Sequence, residues 1–124
     1  MILVALMLVT QTPAALTEAQ QNDVACVAMI ATTAEKQRKG VSAPELPDVR
    51  QSGKIWAGIV GSRITQESGQ PRELIAVAMT EAAKAEFQRP SETAAVQKCF
   101  MQMSMEIANA AAQELPLPKQ VPSK

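Results

Sequence analysis

The amino-acid sequence predicts an all-α protein. The expected architecture is a four-helix up-down-up-down bundle with one interhelical disulfide, preceded by a signal peptide and followed by a proline-rich tail. Three observations predict it. Aromatic residues are scarce (Trp56, Phe87 and Phe100, with no tyrosine), and alanine and methionine supply much of the apolar filling, which suits closely packed helices better than pleated sheet. Four segments carry apolar residues at helical spacing and are separated by glycine and proline breaks. One cysteine falls in the first of these segments and the other in the last.

The N-terminus, MILVALMLVTQTPAALTEAQQ, opens with an unbroken apolar run over residues 2–9 that is too short to span a bilayer as a helix. Small residues follow at Ala14 and Ala15, then a polar stretch, the pattern of a signal peptide over residues 1–15 cleaved after Ala14 or Ala15. The departure from that pattern is the absence of Lys or Arg just after Met1. Either the α-amino group supplies the positive charge, or the true start lies upstream. Export would place the chain in the periplasm or the secreted fraction, with no membrane association after cleavage. In an oxidising compartment Cys26 and Cys99 pair as one disulfide. Their separation of 73 residues corresponds to a stabilisation of about 4 kcal/mol at most.

The helical domain is expected over residues 16–113. Thr17-Glu18-Ala19-Gln20 is a capping box with Leu16 as its hydrophobic staple. Val24, Val27, Ile30, Ala31 and Ala34 continue at helical spacing, and Gly40 closes the helix after a basic last turn. The loop GVSAPELP leads to a second helix with Pro47 in its first turn and Asp48 at its N-terminus. Along it Val49, Trp56, Ile59, Val60 and Ile64 gather on one side. Gly53, Gly58 and Gly61 weaken that helix, and close approach of a neighbouring helix accounts for them better than contact with a ligand. The third helix begins at Pro71 and presents Leu74, Ile75, Ala78, Ala82 and Ala85. Ser91 offers a cap to the fourth, which is expected from Glu92 to Gln113. The tail, residues 114–124, holds three prolines and is expected to be disordered. Short connections make sequential helices antiparallel neighbours, and such a bundle sets the first beside the fourth, as a Cys26–Cys99 bridge requires.

Composition excludes several functions. Twelve basic residues balance twelve acidic ones without a run of either sign, so no stripe exists for nucleic acid or for an anionic membrane surface. With no histidine, Ser-His-Asp and Cys-His nucleophile systems and ordinary zinc sites are absent. GIVGSR, residues 58–63, lacks the lysine of a phosphate-binding loop and sits within a helical pattern.

Four charged residues fall beside apolar stripes instead of opposite them: Asp23, Arg63, Glu81 and Glu106. Their expected role is in interhelical ion pairs at the edge of the bundle, with a carboxylate-based hydrolase as the enzymatic alternative. KCFMQMSMEIA, residues 98–108, raises the question of a soft-metal site, because thioethers select Cu(I). At about 100° per residue Cys99 and Met103 share one face with Val96, Phe100 and Ile107. Met101 and Met105 point to another. The helical reading therefore assigns no metal or cofactor and makes Met101 and Met105 a candidate surface for an unknown protein partner, with Cu(I) binding through the same pair as the alternative.

The signal, Cys26, the glycine-containing aromatic stretch Ile55-Trp56-Ala57-Gly58-Ile59-Val60-Gly61 and Cys99 together resemble a loose group of small exported two-cysteine helical proteins of Gram-negative bacteria. Most of that group have no assigned activity. The resemblance implies a non-enzymatic role and, by kinship with disulfide-linked periplasmic helical proteins, immunity-protein or acid-chaperone functions as alternatives.

Overall fold

The computed structural model describes residues 16–41 and 46–114. The expected signal peptide, the centre of the first loop and the tail beyond Glu114 lie outside them. Among the described residues four helices occur and no strand: α1 (Glu18–Lys39), α2 (Arg50–Ser68), α3 (Arg72–Gln88) and α4 (Thr93–Glu114).

The capping box starts α1 as expected. Thr17 Oγ1 accepts the Gln20 N–H at 3.1 Å, and Gln20 Oε1 accepts the Thr17 N–H at 3.0 Å. Gly40, at φ 72°, ends the helix in the left-handed region with its N–H on the Gln37 carbonyl, a conformation a side chain disfavours. Two threonines buried in α1 need acceptors of their own. Thr32 and Thr33 donate to the carbonyls four residues back, at 2.8 and 3.0 Å.

Pro47 lies before α2, not within its first turn. The reason is Gln37, near the end of α1, whose amide donates to the Pro47 carbonyl at 2.9 Å and accepts the Val49 N–H at 2.9 Å. Those bonds hold residues 47–49 outside the helix, which begins only at Arg50. Ser91 likewise does not cap α4. Its N–H and hydroxyl both bond to Glu86 at the end of α3, at 2.6 and 2.8 Å, and the Glu92 carbonyl accepts the N–H groups of Ala95 and Val96 in α4.

Gln20 at the start of α1 meets Glu67 at the end of α2, while Gln37 meets Val49, so these two helices are antiparallel. Cys26 bonds to Cys99 with Cα atoms 5.2 Å apart, and Asp23 meets Gln102, so α1 and α4 are antiparallel too. The core is built from Val24, Val27 and Ile30 of α1, Trp56, Val60 and Ile64 of α2, Ile75 of α3, and Cys99 and Met103 of α4, with Val49 from the loop. α1 and α2 each pack against all the other helices, whereas α3 and α4 barely meet. A square up-down-up-down arrangement would set α3 and α4 side by side.

α3 lies across α1. One flank of α3 (Ala82, Ala85, Glu86, Arg89) borders a hollow with Ala25 and Ala28. The other flank (Thr80, Ala83, Lys84, Phe87) borders a hollow with Ala31, Thr32 and Glu35. Alanines on both helices permit that crossing, because short side chains let two backbones approach. The same crossing leaves Leu74 exposed, contrary to the expected stripe, and brings Ile75, Met79 and Ala82 inward.

The glycines of α2 divide by position. A Cβ at Gly53 would lie 3.1 Å from Ile30 Cγ2, one at Gly61 would lie 3.7 Å from Met79 Cε, and one at Gly58 would meet nothing. Close approach therefore accounts for Gly53 alone. Gly58→Ala is expected to stabilise the protein by about 0.5–1 kcal/mol through helix propensity, whereas Gly53→Ala gains less or loses, as Ile30 must give way. Urea titration of the two variants checks the difference. Replacing both cysteines by serine is expected to cost up to about 4 kcal/mol; an oxidised and a reduced protein with the same urea midpoint would refute it.

Candidate functional site

Two regions gather the residues singled out in the sequence. The first is a polar cluster where α1, α2 and α4 meet. Trp56 is fully buried, and a buried indole N–H requires an acceptor. It donates to Glu106 Oε1 at 2.7 Å. The guanidinium of Arg63, two turns along α2, donates to the same oxygen at 3.3 Å and to Asp23 Oδ2 at 2.9 Å. The Gln102 amide completes the set, donating to Asp23 Oδ1 at 3.0 Å and to Glu106 Oε2 at 3.2 Å. Every oxygen of both carboxylates thus has a donor.

Burial works against the charge of Glu106. The indole, the Gln102 amide and Arg63 outweigh it, and the carboxyl lies below its ordinary value of 4.5. Burial also opposes the Arg63 charge, yet Asp23 and Glu106 leave its pKa raised. A carboxylate held ionised in this way and fully engaged is a poor proton carrier, since general acid–base work needs a group poised near the working pH.

Asp23, Arg63 and Glu106 are brought together; Glu81 is not. It is 66% exposed and pairs with Lys84, one turn on in α3, at 3.8 Å. Glu81 belongs to the helix that crosses α1, and that crossing holds it clear of the cluster. The sequence reading missed Trp56 and Gln102 as members. A signal existed for each: the unmet N–H of a core tryptophan, and a Gln four residues before Glu106, where an i,i+4 pair meets.

Beside the cluster, Gln102 Oε1 touches Cys26 Sγ at 3.8 Å and Met29 Sδ touches Cys99 Sγ at 3.6 Å. With both sulfurs in the disulfide and no thiol proton present, these are packing contacts.

The second region is α4. Met103 is 1% exposed and sits in the core, while Met101 and Met105 are 63% and 64% exposed. The three thioethers do not converge, and two of them stand one turn apart on the outer face. Among the described residues no group of three or more Cys, Asp or Glu side chains is placed to hold a metal ion, and no helix is long and apolar enough to cross a membrane.

A hollow of 560 Å³ between α1 and α2 has Ala31, Ala34, Gly53 and Ala57 on its floor and Glu35, Arg38, Asp48 and Arg50 on its rim. Of the charges lining it, Arg38 is matched to Glu35 and Arg50 to Asp48, while Lys54 also borders it. The guanidinium of Arg50 and its backbone N–H hold the Asp48 carboxyl down at about 2.

The cluster dictates a pH dependence. The folded pKa of Glu106 is depressed, so its stabilisation is fully present above its unfolded value of about 4.5 and is lost as pH falls through the folded value. Arg63→Ala is expected to cost about 1–3 kcal/mol at pH 7, as two half-buried carboxylates lose their cation. From pH 7 to about pH 3.5 that variant is expected to lose less stability than the native protein, because Glu106 has lost part of what holds its carboxyl low. Urea unfolding at both pH values tests this, and parallel responses would show that Arg63 contributes nothing through charge.

No family model, curated protein or solved structure matches the chain, and the functional reading rests on the geometry of these two regions.

Proposed function

We propose that the chain is a non-enzymatic helical protein of the periplasm or the secreted fraction, matured by loss of residues 1–15 and acting by binding another protein. The exposed pair Met101 and Met105, on the side of α4 opposite its core residues, carries this reading. Thioether side chains are flexible and polarisable, and they fit partner surfaces of varied shape. The apolar run over residues 2–9 and the Cys26–Cys99 bond support an oxidising destination. The saturated hydrogen bonding of Asp23 and Glu106 supports a structural over a catalytic role for the carboxylates.

An acid-responsive, chaperone-like role is the second reading, and one observation favours it. Protonation of Glu106 removes the charge that strengthens its bond to a fully buried indole and attracts Arg63, loosening the junction of α2 and α4 at low pH.

The full chain is expected to capture a specific partner from a periplasmic extract of its host. Met101→Lys/Met105→Lys lowers that capture at least about tenfold, a loss of about 1.4 kcal/mol, with the thermal midpoint unmoved because both residues are exposed. A purified chain that captures no partner yet turns over a substrate would overturn the proposal.

A further inference from the structure

α4 is apolar on two sides. Val96, Cys99 and Met103 face the core, with Phe100 and Ile107 packed against it. On the outer side Met101, Met105, Ala108 and Ala112 are all exposed, at spacings of 4, 3 and 4 residues, the a and d rhythm of a coiled-coil seam. Lys98, also exposed, continues the stripe toward the N-terminus. Between Thr93 and Gln113 only Lys98 and Glu106 are charged, and Glu106 is turned inward to Trp56 and Arg63. An exposed helical face ordinarily carries charges that keep it in water. This one carries a single lysine near one end.

Resting on the docking face proposed above, we infer that its occupant is a second copy of this chain. The pairing sets α4 against α4, antiparallel, about a two-fold axis near residues 106 and 107. Size complementarity selects the register. The 4-3-4 spacing reads the same in both directions, so Met101 falls opposite Ala112 of the second copy and Met105 opposite Ala108. Every layer then seats one long thioether against one methyl, the knob-and-hole condition of close helix packing. Sliding the helices to set Met101 against Met105 would stack long on long at the centre, with Ala108 opposite Lys98 and Ala112 opposite Ala94 toward the ends.

Charge selects the direction. α4 has no basic residue in its last turn, so among the described residues its own helix brings no cation to the terminal carbonyls. The antiparallel register brings Lys98 of the second copy to that end, where a positive charge is favourable. A parallel pairing would set Lys98 against Lys98. Residues 108, 109 and 111–113 are exposed, so this end of α4 is clear of the other helices. A seam of one helix per subunit is a small interface, below about 1,200 Å², and the resulting dimer depends on concentration.

Sedimentation equilibrium of the full, oxidised chain from micromolar to millimolar concentration tests the inference. The expected result is a monomer–dimer equilibrium. Ala108→Met, which sets long against long, and Met105→Ala, which sets short against short, each weaken it about tenfold or more. The double variant Met105→Ala/Ala108→Met restores it, because the swap again gives each layer one long and one short side chain. All these positions are exposed, and circular dichroism confirms the fold of each variant. A chain that stays monomeric throughout overturns the inference, as does a dimer unmoved by the single changes or a double variant as weak as the singles. Were the chain monomeric while Met101→Lys/Met105→Lys still abolished capture of a periplasmic partner, the docking face would stand and the second copy would not.

Discussion

A tryptophan buried completely in a small core carries one N–H that has to find an acceptor, and much of this structure follows from how Trp56 finds it. The acceptor is a carboxylate, Glu106, at 2.7 Å. Drawing a carboxylate to the edge of the core creates a second requirement, a cation, which Arg63 meets from the same helix as the tryptophan. Arg63 brings a third, because its other nitrogen engages Asp23 of α1, and Gln102 closes the circuit between the two acids. The constraint that began as one indole N–H thus ties α1, α2 and α4 together. Partly buried carboxylates stabilise such a junction only when their oxygens are engaged, and here all four have a donor.

The disulfide lies on the same seam. Asp23 and Cys26 are one turn apart on α1, and Cys99 and Gln102 one turn apart on α4, so a covalent bond and a polar network fasten the two helices at adjacent levels. The disulfide constrains the unfolded chain, and the network fixes which faces of the folded helices meet. α3 stands apart from both devices. It contributes Ile75 to the buried core, crosses α1 on alanines, and shares almost no contact with α4. Its hold on the rest depends on close packing of small side chains, with Lys39 over the Phe87 ring at 5.8 Å as one polar addition.

Because α3 leaves α4 uncovered, the outer face of α4 is available for contact. A helix whose core side is complete with Val96, Cys99 and Met103 has no internal use for Met101, Met105, Ala108 and Ala112 in a continuous stripe. Water tolerates single exposed apolar residues without consequence, but a periodic row with almost no charge is a surface suited to another helix. The proposed interaction follows from the same asymmetry of packing that places the polar cluster at the opposite side of α4.

The sequence by itself determined the elements and their ends wherever the cause is local: the capping box at Thr17, the left-handed glycine at Gly40, the prolines that bound α3. It also determined that Met103 and Cys99 face inward while Met101 and Met105 do not, since helical geometry alone separates them. Asp23, Arg63 and Glu106 were legible as charges beside apolar stripes, but their joining, and the parts played by Trp56 and Gln102, were not. Hydrogen bonds between residues some 40 to 79 positions apart depend on how the helices are set against one another, which periodicity does not encode. For the same reason only the tertiary structure decided that Glu81 stays in solvent, that Gln37 delays the start of α2, and that α3 crosses α1 instead of running beside α4. Local backbone chemistry acts within a few residues, whereas the choice among packings is made by the fit of whole faces.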